Sequence, residues 1–388
     1  MSDSRTMILQ MLAEGKITVE ESERLLRALN KEDEARGNSN TESQNSNNQS
    51  PYINVFPNIL EVTKLGLNIR DIAQTIQQTV QQTIKQVEPG RKELKEKMKE
   101  FGTWMEDVVE TMAVELTNHN GLPADSMSVE FIVPAPKGIE NIKTFVIENL
   151  FGEIHLTEGN SFKLLVNGQI SKNTLGEMQS SEWFSNNAIR IEGDKMYIGF
   201  NNSTSVKGII DLNITLPANS KIQCKTINSA IRVKGLLDLE AVKTISGNIR
   251  IDEATVSNSD IESVNGIIQL ENNKNVSAQI NSTSGDIMIR KCGLDNLKIN
   301  SVNGDAYISE SNIALATNVK IITTAGDIRV EKLEGPWKLV DATSRKGEIV
   351  VDWKGNLAPV SNQKVSIKSG GEGATIYAES VSGNIKFH

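Results

Sequence analysis

Two cysteines, Cys224 and Cys292, are the only thiols in this 388-residue chain, and they form no CxxC pair. That excludes a disulfide framework and fits two free thiols in a reducing compartment. Histidine is as scarce. His119, His155 and His388 share no motif, so a histidine triad or a zinc site lacks ligands at a workable spacing. The glycines make no GxGxxG or GxxxxGK[ST] pattern, which leaves phosphate binding unsupported. No segment approaches the ~20 apolar residues that cross a bilayer. The start, MSDSRTMILQ, puts acid and polar residues where a signal peptide carries a basic stretch and an apolar run. The expectation is a cytoplasmic or membrane-associated protein, with surface exposure only by unconventional export. A net charge of −8 gives no global field favouring nucleic acid.

Aromatic residues are only 4% of the chain, whereas Ile, Val, Asn, Ser and Thr are plentiful. That mixture suits short strands separated by tight turns. It is organised in a recurring phrase: Ser or Thr, two residues, Gly, a polar residue, then alternating aliphatics. The phrase reads TISGNIRI at 244–251, SVNGIIQL at 263–270, STSGDIMI at 282–289 and SVNGDAYI at 301–308. It returns as TTAGDIRV at 323–330, TSRKGEIVV from Thr343 and SVSGNIKF at 380–387. Gly247, Gly266, Gly285 and Gly304 are spaced by 19 residues, and Gly326 and Gly347 follow after 22 and 21. A period near 20 is the signature of a stacked array.

With each glycine as origin, the residues at +2 and +4 are aliphatic, as in Ile249 and Ile251 or Ile287 and Ile289. The −5 positions carry Val242, Ile261, Ile280, Ile299 and Ile321. Each repeat is thus two short strands joined at a glycine corner, with −5, +2 and +4 facing inward. Glycine fits a corner that needs positive φ or a close backbone approach. One unit cannot bury its apolar face alone, but a stack of such units can. The turn glycines are Gly247, Gly266, Gly285, Gly304, Gly326, Gly347 and Gly383. Diverged copies occur at Gly152, followed by Ile154 and Leu156, and at Ser229, followed by Ile231 and Val233. The segment 172–206, with Trp183, Phe184 and Tyr197, breaks the period and reads as an insertion or cap.

The N-terminal part is different. Residues 1–30 form a small helical hairpin: Gly15 caps a first helix, and Thr18 with Glu21 makes a capping box for a second. Its apolar residues Leu12, Val19, Leu25 and Leu29 are the candidate partner interface, because so small a unit rarely folds alone. Residues 31–59 read as a disordered linker. Residues 60–120 read as an amphipathic helical hairpin. Leu94, Met98, Phe101, Met105, Val108 and Met112 make a heptad seam in its second helix. Trp104 and the basic cluster Arg91, Lys92, Lys95, Lys97 and Lys99 leave two readings of 60–117 open: packing or homo-oligomerisation, and peripheral membrane contact.

The stretch LNITLPANSKIQCKTINSAIRVKGLLDLEAVKTISGNIRI at 212–251 resembles the bacterial β-strand-repeat family that carries the adhesin label. MILQMLAEGKITVEESERLLRAL resembles the short helical domain that precedes such repeats in YvlB-like and LiaX-like proteins of Gram-positive bacteria. The resemblance implies a β-solenoid-like fold and a link to cell-envelope stress, and it implies no catalysis. The expected fold is mainly β: a β-helix-like solenoid over 128–388 with coils of 19–22 residues, preceded by the two helical parts.

The position after each corner glycine holds Asp286, Asp305, Asp327 and Glu348, with Asn248 and Asn384. Stacking would align the acids into a ladder. Turn chemistry explains them without a ligand, and calcium is the other reading. The function expected is a non-catalytic scaffold without a cofactor: a regulatory or envelope protein partner on the helical module, and a binding surface on the solenoid. The alternative is a membrane-surface sensor that binds lipid or a cationic amphiphile through 60–117. An enzyme would need a carboxylate pair in a cleft, which a solenoid face alone does not predict.

Overall fold

The computed structural model describes residues 126–172, 180–199, 208–353, 356–361, 364–369 and 371–388. The expected helical module 1–30, linker 31–59 and hairpin 60–120 lie outside these residues. The described chain opens with β1 (Ser126–Val133), β2 (Thr144–Phe151), β3 (Ile154–Glu158) and β4 (Lys163–Ser171). A helix, α1 (Ser180–Ala188), leads to β5 (Ile189–Glu192), β6 (Lys195–Gly199) and β7 (Gly208–Leu216).

The repeat region follows in strand pairs: β8 (Lys221–Asn228) with β9 (Ile231–Lys234), β10 (Asp238–Ser246) with β11 (Ile249–Asp252), and β12 (Thr255–Asn265) with β13 (Ile268–Glu271). Next come β14 (Lys274–Ser284) with β15 (Ile287–Arg290), β16 (Gly293–Asn303) with β17 (Ala306–Ser309), and β18 (Asn312–Ala325) with β19 (Ile328–Glu331). The last strands are β20 (Trp337–Ser344), β21 (Ile349–Trp353), β22 (Asn356–Ser361), β23 (Lys364–Lys368), β24 (Ala374–Ser380) and β25 (Ile385–Phe387).

The strands form two sheets. The first runs β1-β4-β7-β3-β9-β11-β13-β15-β17-β19-β25-β21-β22, and the second runs β23-β20-β24-β18-β16-β14-β12-β10-β8-β2-β6-β5. Each coil lays one strand in the second sheet, turns at its glycine and lays the next strand in the first. Neighbouring coils pair in parallel and in register, so like positions stack. Ile249, Ile268, Ile287 and Ala306 are successive partners, and so are Val242, Ile261, Ile280 and Ile299. The expected inward positions −5, +2 and +4 fill the core between the sheets; Ile249, Ile251, Ile261, Ile280 and Ile289 are fully buried. Each such side chain contributes about 1.5–3 kcal/mol of apolar burial. Cys224 takes a −5 position as an interior rung between Val242 and Ile147. The diverged copies belong to the array too: Ile154 pairs with Ile231, which pairs with Ile249.

The stacking order departs from the chain order at both ends. At the C-terminal end, β24 and β25 sit between β18/β19 and β20/β21. The last residues of the chain thereby fill an interior slot instead of lying on an edge. At the other end, β6 and β7 stack outside β2 and β3. The parallel array is then closed by antiparallel strands: β4 on β7 and β1 on β4 at one end, β22 on β21 and β23 on β20 at the other. A strand that runs back along the last coil satisfies its exposed backbone groups and limits edge pairing with other chains.

The segment read as an insertion or cap divides in two. α1 is a cap, with Phe184 buried and its ring edge-on to Phe131 at 5.9 Å. β6, which carries Tyr197, is instead a full member of the array, its Tyr197 paired with Val146.

Candidate binding face of the repeat array

The corner is built by close approach. A Cβ on Gly266, Gly285, Gly304, Gly326, Gly383 or Gly347 would come closer than 3.0 Å to the carbonyl oxygen of the glycine in the neighbouring coil. The order of that stack is again 326, 383, 347, as the inserted coil requires. Positive φ adds to the requirement at Gly247 (155°), Gly266 (157°) and Gly285 (140°). The expected positive φ therefore applies to part of the array, and the steric reason to all of it.

The Ser or Thr at −3 was not among the expected inward positions, yet Thr244, Ser263, Ser301 and Thr323 are fully buried. The hydroxyls of Ser282, Ser301 and Thr323 donate to the carbonyls of Gly285, Gly304 and Gly326 at 3.1, 3.2 and 2.9 Å. In these three coils the hydroxyl gives a buried corner carbonyl its donor, whereas the Thr244 hydroxyl reaches the Ser229 carbonyl instead and that of Ser263 has no partner.

The acids after the glycines do stack. The Asp286 Oδ1 accepts the N–H of Asp305 at 2.9 Å, Asp305 accepts that of Asp327 at 2.8 Å, and Asp327 that of Asn384 at 2.8 Å. Asn384 continues to Glu348 at 2.9 Å, and Asn248 plays the same part for Ile267. One oxygen of each side chain is thus committed to the backbone of the next coil, and Asn serves as well as Asp. Burial, aided by the charges of Asp286 and Asp327, raises the Asp305 carboxyl above its ordinary range. Among the described residues no group of three or more His, Cys, Asp or Glu side chains is placed to hold a metal ion.

The second corner, six residues after the glycine, is left-handed without glycine. Glu253, Asn272, Lys291, Glu310 and Lys332 have φ between 49° and 59°. Behind it lies an interior row in which the Asn273 Oδ1 accepts the N–H of Ala254 at 2.8 Å. The Ser311 hydroxyl accepts that of Cys292 at 3.2 Å. Burial raises the pKa of both thiols, Cys224 and Cys292.

The outer face of the first sheet presents one side chain per coil at +3. His155, Arg232, Arg250, Gln269, Met288, Tyr307, Arg329 and Lys386 are successive register partners. Acids from neighbouring rows intersperse with them. Glu271 takes Arg250 at 3.3 Å and Arg290 at 3.0 Å. Glu153 pairs with Arg232 and lies 2.7 Å from His155, and the Arg232 hydrogen bond holds its carboxyl below the ordinary range. The arginines are about half exposed, so these pairs orient the face more than they stabilise it.

Where β19, β25 and β21 lie side by side, Asp327, Arg329, Glu331, Glu348, Asn384 and Lys386 line an open groove of about 310 Å³. Residues from 327–331, 348–350 and 384–386 meet there only because the last coil is inserted. No motif in the sequence could have signalled it.

Of the residues singled out in the sequence, the seven corner glycines all lie on one stacked line. Leu12, Val19, Leu25 and Leu29 lie outside the described residues. Among the described residues no helix is long and apolar enough to cross a membrane.

Residues 128–388 match the family described as Toastrack DUF4097, and residues 3–34 match a SHOCT-like domain. A search of curated proteins finds no match. Among solved structures, a proposed adhesin from Bacteroides fragilis aligns with 13% identity over 69% of this chain and 99% of its own, with a TM-score of 0.36. A proposed cell adhesion protein from Clostridium sporogenes aligns with 15% identity over 67% and 99%, with a TM-score of 0.20.

Proposed function

The chain belongs to the Toastrack DUF4097 family, and on that footing we propose that it is a non-catalytic, adhesin-like scaffold of the cell envelope stress response. The outer face of the first sheet is its binding surface, and the helical module at 3–34 is the contact for a regulatory protein. One observation carries this reading. A long parallel sheet holds the row His155, Arg232, Arg250, Gln269, Met288, Tyr307, Arg329 and Lys386 in register, one side chain per coil. Parallel strands lie ~4.8 Å apart, so the row is a rigid, regularly spaced comb. Such a surface suits an extended partner that meets the same spacing repeatedly, and many weak contacts then add by effective concentration.

The test is cosedimentation of the full chain with purified Gram-positive cell envelopes. The R250E/R329E/K386E variant should lose roughly tenfold in affinity, about 1.4 kcal/mol, with an unchanged melting temperature. Equal binding by the variant, or no binding by either protein, rejects the reading.

Membrane contact through 60–117 is the alternative, favoured by Trp104 beside the basic run Arg91 to Lys99. Flotation of the full chain and of a 60–117 deletion on anionic liposomes separates the two. Equal flotation rejects the helical-membrane version.

A further inference from the structure

The second sheet has an apolar stripe on the wrong side. Along β12, Ile261 and Ser263 at −5 and −3 point into the core, so Glu262 and Val264 at −4 and −2 point outward. The same holds in each coil. The −2 residues Ile227, Ile245, Val264 and Val302 nevertheless retain only 7, 3, 1 and 3% of their surface, and Ile322, outward at −4 in the next coil beside Asn300, retains 8%. None of them belongs to the continuous core between the sheets. Thr283 completes the line at 4%. On the first sheet the corresponding outward residues Arg250 and Arg329 are about half exposed. Glu262, on the stripe, is 7% exposed, and burial, ahead of its neighbour Asp260, raises its carboxyl above the ordinary range. Lys298, Lys320 and Glu379, outward on the same face, each have an interaction partner. Outward β-branched residues buried to this degree, across six successive coils, mark an occupied face.

We infer that residues 91–117 of the same chain dock along this stripe as an amphipathic helix. The seam Leu94, Met98, Phe101, Met105, Val108 and Met112 offers a matching apolar edge. From Leu94 to Met112 a helix extends ~28 Å at 1.5 Å per residue. Five coil steps from Ile227 to Ile322 extend ~24 Å at ~4.8 Å each. The segment ends only a few residues before β1, so tethering gives it a high effective concentration over any separate partner. The inference goes beyond the binding face proposed above, since the two lie on opposite sheets. Docking hides the seam, so membrane contact through it would first require release.

The test uses the full chain with a benzoylphenylalanine photocrosslinker in place of Thr283. Irradiation should give a monomeric adduct whose peptide map joins position 283 to 91–117. A dimer-sized adduct, an adduct to another segment, or none overturns the inference. Independently, V264D/V302D should raise amide hydrogen exchange in 91–117 by roughly tenfold, the loss of about 1.4 kcal/mol of docking, while Ile249, Ile268 and Ile287 stay protected. If those strand amides lose protection too, M98D/M105D replaces that variant and should raise exchange in 91–117 alone. Unchanged exchange in 91–117 overturns the inference.

Discussion

Gly304 lies directly against the carbonyl oxygen of Gly285 in the preceding coil, with no room between them for a Cβ. Its φ is not in the left-handed window, so the constraint at Gly304 is steric alone. Gly304→Ala should therefore destabilise the array by about 2–4 kcal/mol, since it forces two paired backbones apart. Gly371→Ala, whose Cβ would meet only the Ser369 hydroxyl at 3.8 Å, should shift the urea midpoint far less. Equal midpoints for the two variants would contradict the close-approach account.

The two buried hydroxyls Ser301 and Ser263 separate a bonded corner from an unbonded one. Ser301 donates to Gly304, whereas the Ser263 hydroxyl has no hydrogen-bond partner. Ser301→Ala should cost about 1–2 kcal/mol because a buried carbonyl loses its donor. Ser263→Ala removes an unsatisfied polar group and should be neutral or stabilising. Chemical denaturation of both variants gives the comparison.

Lys291 holds φ 53° at the second corner. An L-residue in that region costs ~1–2 kcal/mol, and glycine loses ~0.5–1 kcal/mol of chain entropy on folding. Lys291→Gly should thus raise stability by up to about 1 kcal/mol. Arg290→Gly, one residue earlier in extended β15, should lower it. A lower urea midpoint for Lys291→Gly would show that the side chain contributes more than the backbone conformation costs.

Asp305 has a carboxyl pKa raised above the ordinary 3.8 by burial and by Asp286 and Asp327. A raised acid pKa in the folded state means the charged form is disfavoured there. The penalty is present at neutral pH and fades as pH falls through the folded pKa toward 3.8. Asp305→Asn keeps an oxygen for the Asp327 N–H, as Asn384 does for Glu348. It should stabilise the protein at pH 7 and give no advantage below about pH 3.8. Thermal melts of both proteins at several pH values check the sign.

Much of the repeat was legible because period and burial are local. The aliphatics at −5, +2 and +4 announced the core, and the glycine announced a corner. The hydroxyl at −3 escaped, because alternation marks which side a residue faces and not whether a polar one finds a partner. The left-handed corner at Glu253, Lys291 and Glu310 escaped because charged residues there do not advertise positive φ. The groove at Asp327, Glu348 and Lys386 escaped because its parts are far apart in the chain.

The amino-acid order by itself determined what one coil is: two strands, a glycine corner and an aliphatic interior. It could not determine which coil lies beside which. Every coil offers the same parallel edge and nearly the same interior rung, so local pairing is almost equally satisfied by any neighbour. Only the folded array placed Gly383 between Gly326 and Gly347, because antiparallel caps occupy the outer edge and leave an interior slot for the last strands. Nothing in the repetition marked the outward −2 row as covered. Its burial at Val264 and Val302 is a property of three dimensions, where a face is covered or bare according to what the rest of the chain brings to it.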